Sequence, residues 1–380
     1  MSDFRSNNTQ PWWQRQDWLL TGAVVSLTLL GSVLIYSATR NDLLAQGYSE
    51  YAELRKHLIT VAVGVALALG IARSRYLLLR ALAPILYLLG LLGLVLVLTK
   101  LGLELHNVKA WIPLPGGFTL QPSEFAKLAI VLGVAIVLAE TKQRGEAPST
   151  KQVLASLGLV AVPALLIMRQ PDLGTMLIIG VMILGILSVS GVQARWPLGL
   201  GSTALLAATV LWISPKGLSG YQKDRLKVFI DPSVDPQGAG YQLRQVRMAI
   251  GSGGWTGTGL FEGPQTNGGF IPEQQTDFIF SAAGEQLGFL GAGLITILLF
   301  VIVWRALVIA SRSSDRFGRI AATGIAAWVA FQTFENIGMN IGIMPMTGVP
   351  LPFLSSGGSS MFVLWMAFGL LQNIKMKESE

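Results

Sequence analysis

Two carboxylates, Asp277 and Glu285, stand in the otherwise strongly apolar stretch QQTDFIFSAAGEQLG, residues 274–288. A carboxylate at the mouth of an apolar segment can serve as a general base, or it can be a first-turn acid that favours the positive end of a helix. On a helix, residues eight apart lie about 12 Å apart along the axis and about 80° around it, which is too far to share a proton. Chemistry here would therefore rest on Asp277 alone, as a base or with a bound cation.

Other ionisable residues stand close to apolar runs. Glu124 and Lys127 in QPSEFAK (121–127) are three residues apart, so they can neutralise each other on a helix. Asp172 in RQPDLGT (169–175) suits a tight turn. Glu335 lies within a long apolar run, where an ionisable residue is a candidate site unless it pairs with Lys127 or a backbone amide. Structural and functional interpretations remain open for all four.

The segment 215–276 mixes basic residues with aromatic ones, among them Tyr221, Arg225 and Arg247. Such a surface suits anionic lipid headgroups or a pyrophosphate, although a solvated basic loop has the same composition. The run GSGGWTGTG (251–259) has the glycines of a phosphate-binding loop but no strand–turn–helix context, so it is a weak signal.

Apolar helices must position these groups. The 380 residues are 52% hydrophobic and 13% charged, whereas soluble domains carry about 25% charged residues. Windows long enough to span a bilayer recur along the chain. They predict one all-α polytopic membrane domain over residues 1–380, with about ten transmembrane helices near 18–38, 57–72, 76–99, 122–139, 153–169, 175–192, 197–214, 278–304, 317–343 and 358–374. The eighth and ninth windows are long enough to be tilted or kinked, and the absence of cysteine excludes disulfides and thiolate metal sites.

The distribution of Lys and Arg predicts the orientation. These residues are more frequent in the segments that lie inside if both termini are cytoplasmic. The unusual motifs and the long loop 215–276, between helices 7 and 8, then all face outward. This topology predicts an extracytoplasmic active face, and it explains the net charge of +7 without a nucleic-acid partner.

The outward motifs resemble those of the SEDS family (shape, elongation, division and sporulation). The resemblance rests on five segments in the family's order, and GVPLPFLSSGG within the last is similar to the elongation branch. Two departures are Ala110 beside Lys109, where many relatives have Arg, and Ser356, where they have Tyr. The five segments are QPSEFAK (121–127), QPDLGT (170–175), DPQGAGYQLRQVRMAIGSGG (235–254), FIPEQQTDFIFSAAGEQLG (270–288) and NIGMNIGIMPMTGVPLPFLSSGGSS (336–360).

The resemblance implies a peptidoglycan glycosyltransferase of the bacterial plasma membrane that polymerises lipid II during cell elongation. Asp277 would be the general base and, with a divalent cation such as Mg²⁺ or Mn²⁺, a metal ligand. The implied partners are lipid II, a class B penicillin-binding protein and other membrane proteins of the elongation complex. The expected substrate-binding residues are Lys109, Glu124, Lys127, Asp172, Tyr221, Arg225, Gln245, Arg247, Glu285, Ser355 and Ser356.

Two other classes of function remain open. A lipid II flippase or another transporter would also be polytopic, and Glu335 and Lys127 are the residues that favour it. A scaffold for a penicillin-binding protein would explain the outward loops, but it would not require Asp277.

Overall fold

The computed structural model describes residues 11–105, 108–140, 146–214 and 220–378. Ten long helices lie in the ten predicted windows, which confirms the all-α fold class. They are α1 (Trp18–Ala45), α2 (Ala52–Arg73), α3 (Tyr76–Leu98), α4 (Pro122–Ala139), α5 (Thr150–Met168), α6 (Leu173–Val189), α7 (Arg195–Ile213), α11 (Ile279–Arg312), α12 (Arg316–Ile341) and α13 (Gly358–Glu378).

Seven of these helices, α1 to α5, α7 and α11, are long and apolar enough to cross a membrane, judged over the described residues. Helix α6 is apolar but has 17 residues. Helices α12 and α13 carry more polar residues because they lie inside the bundle rather than facing lipid. Helix α12 packs against α4, α6 and α11, while α13 packs against α2. The polar side chains of a membrane bundle are expected on such interior helices.

Helix α11 is broken at Gly288, whose φ of 64° and ψ of −164° are not helical. A break frees backbone groups that must find partners, because lipid offers none. The glycine-rich segment 253–259 supplies them. The N–H groups of Thr258 and Gly259 donate to the carbonyls of Glu285 and Gln286, at 2.9 and 3.2 Å.

On the other side of the break, the N–H of Phe289 donates to the Gly254 carbonyl at 2.8 Å. A Cβ at Gly257 would lie 2.1 Å from the Gln286 carbonyl oxygen, so only glycine permits this approach. The glycines of this run thus have a structural function, because they allow the segment to bind the backbone groups that the break in α11 frees. The eighth predicted window, which was long enough to be tilted or kinked, is kinked.

The loop before α11 is folded. It contains α8 (Gly220–Ile230), α9 (Ala239–Ser252) and α10 (Pro264–Asn267), none of which the sequence analysis predicts. Helix α9 places an apolar face on α11 and α12, and this face contributes to a second, smaller core. Its buried members are Val228, Leu243, Val246, Ala249, Ile271, Phe278, Met339 and Met346.

A small antiparallel sheet lies between α3 and α4 and was also not predicted. Its strands, in spatial order, are β1 (Leu103–Leu105), β2 (Val108–Leu114) and β3 (Phe118–Leu120). The turn between β2 and β3 uses Gly116 and Gly117, both with φ near +75°. The sheet packs on α3, α4 and α13, at the end of the bundle where α4 begins.

Candidate functional site

Asp277 lies two residues before α11 and does not cap it. The N-cap residue is Phe278, whose side chain makes no capping hydrogen bond. The peptide of Asp277 is instead held from both sides: its N–H donates to the Glu273 carbonyl at 3.0 Å, and its carbonyl accepts from Asn336 Nδ2 at 2.8 Å. Asp277 therefore lies before the first turn of α11, in which no acidic residue stands.

Burial raises the pKa of Asp277 to about 7. The negative charges of Glu273 and Asp172 raise this pKa further, whereas the Arg225 guanidinium and the Thr276 hydroxyl lower it. A carboxyl group with a pKa near 7 is matched to proton transfer at neutral pH.

The wall beside this carboxylate is the extended 345–357 segment between α12 and α13. At Gly348, φ is +75°, and a Cβ there would stand 3.2 Å from Asp277 Oδ2 and 3.6 Å from Arg225 Nη1. Arg225 Nη1 also donates to the Met346 carbonyl at 2.8 Å. The segment therefore brings a carboxylate and a guanidinium to the same place.

Three buried amides lie on α12, and we call Gln332, Asn336 and Asn340 the amide row. Gln332 and Asn336 bind the 345–357 segment. All three are fully buried. Gln332 Nε2 donates to the Pro350 carbonyl at 2.8 Å, and Asn336 Nδ2 donates to the Val349 carbonyl at 2.7 Å. Non-helical backbone at membrane depth persists only when its polar groups are satisfied in this way.

The amide row does not stand out in the sequence. Its signal is the spacing of four residues in an apolar helix, which places all three amides on one helix face. That pattern indicates an interior face, but it does not reveal which carbonyls the amides bind.

Glu124 and Lys127 form the ion pair that their spacing predicts. Lys127 Nζ lies 2.8 Å from Glu124 Oε1, and both side chains are buried. The ammonium also donates to Gln332 Oε1 at 3.1 Å and lies 4.9 Å from the centre of the Trp328 ring. The pair is thereby connected, through Gln332, to the 345–357 segment.

Asp172 caps α6 and lies near the same ion pair. Its carboxylate accepts from the Thr175 N–H at 3.0 Å and from the Thr175 hydroxyl at 2.7 Å. Burial raises the pKa of Asp172, and the charge of Lys127 lowers it. Asp172 is thus the N-cap of α6, and Gly174 lies inside that helix rather than in a tight turn. The charge of Asp172 also acts on Asp277.

Glu335 does not pair with Lys127, whose ion pair is with Glu124. Both carboxylate oxygens of Glu335 are buried and without a hydrogen-bond partner among the described residues. A Cβ at Gly174 would lie 3.4 Å from Glu335 Oε1 and 2.3 Å from Val349 Cγ2. The start of α6 is therefore pressed against Glu335 and the 345–357 segment.

Glu285 is fully buried and binds the protein itself. Its carboxylate accepts from the N–H groups of Gln265 and Thr266, at 2.8 and 2.9 Å, and from the Thr266 hydroxyl at 2.6 Å. It caps α10 and joins that helix to α11. Substrate binding by Glu285 stays a prediction. The hydrogen bonds to α10 show that the same carboxylate has a structural role.

The remaining predicted residues on the long loop are spread along α8 and α9. Arg247 is exposed, and its Nη2 donates to the Gly342 carbonyl at 3.4 Å, at the C-terminal end of α12. Gln245 is half-buried on α9. Tyr221 lies on α8, but its side chain is outside the described part of the structure.

The sheet and the 345–357 segment carry the other predicted residues. Lys109 lies on β2 opposite Glu104, next to the fully buried Ala110. Ser355 Oγ accepts from the Leu351 N–H at 2.8 Å. The Ser356 N–H donates to the Gln275 carbonyl at 2.8 Å, which ties the segment to the loop before Asp277.

A cation site built only from protein would need several acidic or histidine ligands. Within residues 11–105, 108–140, 146–214 and 220–378, no three His, Cys, Asp or Glu side chains are grouped to hold a metal ion. Mg²⁺ is commonly held by one or two carboxylates together with substrate phosphates. The residues present therefore fit an open site with Asp277 as its protein ligand, and they do not fit a closed one.

Comparison with known proteins gives consistent relationships. Residues 17–380 match the cell cycle protein family model of FtsW, RodA and SpoVE. The chain is 37% identical to the probable peptidoglycan glycosyltransferase FtsW of Trichlorobacter lovleyi, covering 94% of this chain and 92% of that protein. It is 34% identical to the peptidoglycan glycosyltransferase MrdB of Escherichia coli K12, with coverages of 97% and 96%.

Solved structures agree with these matches. The rod shape determining protein RodA of Thermus thermophilus superposes with a TM-score of 0.70 at 26% identity, over 97% of this chain and 100% of that one. A chain from the structure reported as "Structural coordination of polymerization and crosslinking by a peptidoglycan synthase complex" gives a TM-score of 0.79 at 28% identity, with coverages of 96% and 99%. The chain belongs to the SEDS family, the family of FtsW, RodA and SpoVE.

Proposed function

We propose that this protein polymerises lipid II into glycan strands, with Asp277 as the general base. The chain is an enzyme of the peptidoglycan glycosyltransferase class, as its curated relatives are. The assignment of the base rests on the carboxylate of Asp277. It makes no cap at the start of α11, its pKa is raised to about 7, and it lies beside Arg225.

In the proposed reaction, Asp277 takes the proton from the 4-hydroxyl of the acceptor sugar. The hydroxyl oxygen forms a bond to the anomeric carbon of the donor as the bond to the lipid pyrophosphate breaks. The electron pair of the breaking bond leaves with the pyrophosphate, and the configuration at the anomeric carbon inverts. The proton held by Asp277 is then released to solvent, which restores the base.

The departing pyrophosphate needs positive charge. The charge of the Arg225 guanidinium acts on Asp277, and a planar guanidinium suits phosphate oxygens. We propose that Arg225 contacts the leaving group, with Arg247 and Lys109 in outer positions on the path of the substrate. A divalent cation, when bound with Asp277 as its protein ligand, would add charge stabilisation of the same kind.

Glu124 and Lys127 are buried, and Asp172, half-buried at the start of α6, lies near them. We propose that they set the electrostatic potential beneath the sugar, because the charge of Asp172 acts on Asp277 and that of Lys127 acts on Asp172. Tyr221, Gln245, Ser355 and Ser356 complete the proposed substrate-binding surface.

We also propose that both termini are cytoplasmic and that Asp277 faces outward. Because the chain has no cysteine, single cysteines report sidedness directly. Gln237 on the long loop and Ser314 between α11 and α12 are both exposed. An impermeant thiol reagent added outside intact cells should label Gln237→Cys and not Ser314→Cys, and the reverse pattern would invert the topology.

The proposed branch is elongation, with a class B penicillin-binding protein as partner and further elongation-complex proteins around them. The GVPLPFLSSGG motif supports the branch, and the similarity to a chain of a peptidoglycan synthase complex supports the partnership. Depletion of the protein should produce round cells rather than unseptated filaments. Co-purification with the cognate class B protein should raise the polymerisation rate, and an unchanged rate would contradict the dependence.

Glu335 is the specific observation that favours the second candidate, a lipid II flippase, because its buried carboxylate is unpartnered among the described residues. The discriminating experiment adds lipid II to the purified protein in detergent, where no transport is measurable. Glycan strands of many sugars should form. Their absence, with the partner present and lipid II movement detected in vesicles, would favour the flippase; absence of both activities would favour the scaffold.

A further inference from the structure

We propose that Asn336 is a positioning residue for glycosyl transfer, because its side-chain amide fixes the main chain of Asp277 against the 345–357 segment. This inference rests on the proposed role of Asp277 as the base. Asn336 acts through Asp277 and is not expected to contact the substrate.

The geometry uses both hydrogens of one amide. Asn336 Nδ2 donates to the Asp277 carbonyl at 2.8 Å and to the Val349 carbonyl at 2.7 Å, and an amide nitrogen carries two hydrogens. Asn340 Nδ2, one turn further on, donates to the Asn336 carbonyl at 2.9 Å and, over a longer distance, to the Asp277 carbonyl at 3.3 Å. The principal link between Asp277 and the segment is therefore the Asn336 amide.

The two carbonyls that Asn336 joins lie next to the reacting groups. Val349 follows Gly348, whose Cα faces the Asp277 carboxylate and the Arg225 guanidinium. Arg225 is itself bound to the Met346 carbonyl. Asn336 therefore sets the distance between the proposed base and the guanidinium proposed for the leaving group. A misplacement of about 1 Å at such a site can lower the rate about 10²-fold.

A buried amide can also do no more than stabilise the fold, and the chain contains a matched control. Asn373 on α13 is buried, and its two Nδ2 hydrogens are shared among the carbonyls of Ile71, Ala72 and Ser74, at 2.9, 3.0 and 2.8 Å from the nitrogen. It has the same chemistry as Asn336, but it binds the C-terminal end of α2 rather than the residues around Asp277. Substitution of either Asn336 or Asn373 removes a buried donor, but only the substitution of Asn336 releases Asp277.

The test compares Asn336→Leu, Asn336→Ser and Asn373→Leu in the full-length purified protein with lipid II as substrate. Leu keeps the approximate size of the side chain without a donor, and Ser keeps one hydrogen-bond donor. We expect Asn336→Leu to lower kcat about 10- to 10²-fold with KM changed less than about threefold, the signature of a loss confined to the transition state. Asn373→Leu should lower the thermal midpoint by a similar amount and leave kcat per folded molecule within about twofold of the unmutated protein.

Asn336→Ser keeps the test decisive if the Leu variant does not fold, because it should lie between the Leu variant and the unmutated protein in kcat. A kcat for the Asn336 variants that matches Asn373→Leu would overturn the proposal, and so would an effect on KM alone. Asp277→Asn is included to separate the two claims. If Asp277→Asn is inactive while the Asn336 variants behave like the control, only the positioning role fails; if Asp277→Asn is fully active, the proposed base fails.

Discussion

Gly348 lies directly against the carboxylate of Asp277: a Cβ at this glycine would stand 3.2 Å from Asp277 Oδ2. The contact joins two distant parts of the sequence, the start of α11 and the segment that follows α12. It also leaves one face of the carboxylate against backbone rather than against a side chain. A substitution at Gly348 therefore changes the space beside the proposed base without removing the base.

Gly348→Ala should lower both stability and activity. The φ of +75° costs an alanine about 1–2 kcal/mol, and its methyl group crowds the Asp277 carboxylate. Gly47→Ala is the matched control, because Gly47 has φ +77° with nothing within 4 Å of its Cβ position. Both variants should lose similar stability in thermal unfolding, and only Gly348→Ala should lose lipid II polymerisation. Equal activities would show that the space beside the carboxylate is not used.

The rate should depend on pH through Asp277. A general base works when deprotonated, so activity should fall as pH drops through about 7, the raised pKa of this carboxyl group. The groups that act on it are Glu273 and Asp172, which raise the pKa, and Arg225 and Thr276, which lower it. Glu273→Gln removes a negative charge, so the acidic limb should move to lower pH.

The measurement is the pH–rate profile of polymerisation at saturating lipid II. Asp231→Asn, at an exposed position on the loop, controls for a general change in charge. An acidic limb that stays in place in Glu273→Gln would mean that the titrating group is not Asp277.

Glu285→Gln should destabilise the protein. The substitution places an NH₂ group or a neutral oxygen where a buried carboxylate accepts three hydrogen bonds from Gln265 and Thr266. Leaving such buried donors poorly satisfied costs about 1–3 kcal/mol. Thermal unfolding in detergent checks this, and KM for lipid II provides the second readout. An unchanged thermal midpoint with a raised KM would favour the substrate-binding interpretation of Glu285.

The ion pair of Glu124 and Lys127 allows stability to be separated from function. Lys127→Met leaves the Glu124 carboxylate buried without its partner, which should cost about 3–5 kcal/mol. Adding Glu124→Gln removes that stranded charge, so the double variant should recover most of the stability. If the pair acts in catalysis as proposed, the double variant should remain poorly active. Recovery of polymerisation together with stability would limit the pair to a structural role.

Much of the fold can be predicted from the sequence because membrane helices need long apolar runs. All ten windows contain helices, although α11 extends eight residues beyond its predicted end, to Arg312 rather than 304. The sheet over 103–120 and the loop helix α9 could not be predicted in the same way. The sheet packs on α13, which is distant along the chain, as well as on its neighbours α3 and α4, and α9 packs on α11 and α12, so both elements depend on tertiary contacts.

The candidate site could likewise be predicted only in part from the sequence. The motifs around Asp277, Glu124 and Asp172 predict residues that the fold brings within electrostatic reach of one another. The structural work of Glu285 could not be predicted, because its donors lie about 20 residues away on a four-residue helix. The amide row could not be predicted for a related reason. Its acceptors are backbone carbonyls, which every residue has, so the sequence does not show which of them an amide binds.

The rate of glycan-strand formation by Asp277→Asn shows whether Asp277 is the general base. Asn keeps the size and polarity of Asp but cannot take a proton at neutral pH, so the rate should fall about 10²–10⁴-fold while folding is retained. The control is Asp235→Asn, because Asp235 on the same loop does cap a helix, accepting from the N–H groups of Gly238 and Ala239 at 2.9 and 2.8 Å. It should lose stability and keep its rate per folded molecule. Polymerisation by Asp277→Asn at the rate of the unmutated protein would show that Asp277 is not the base.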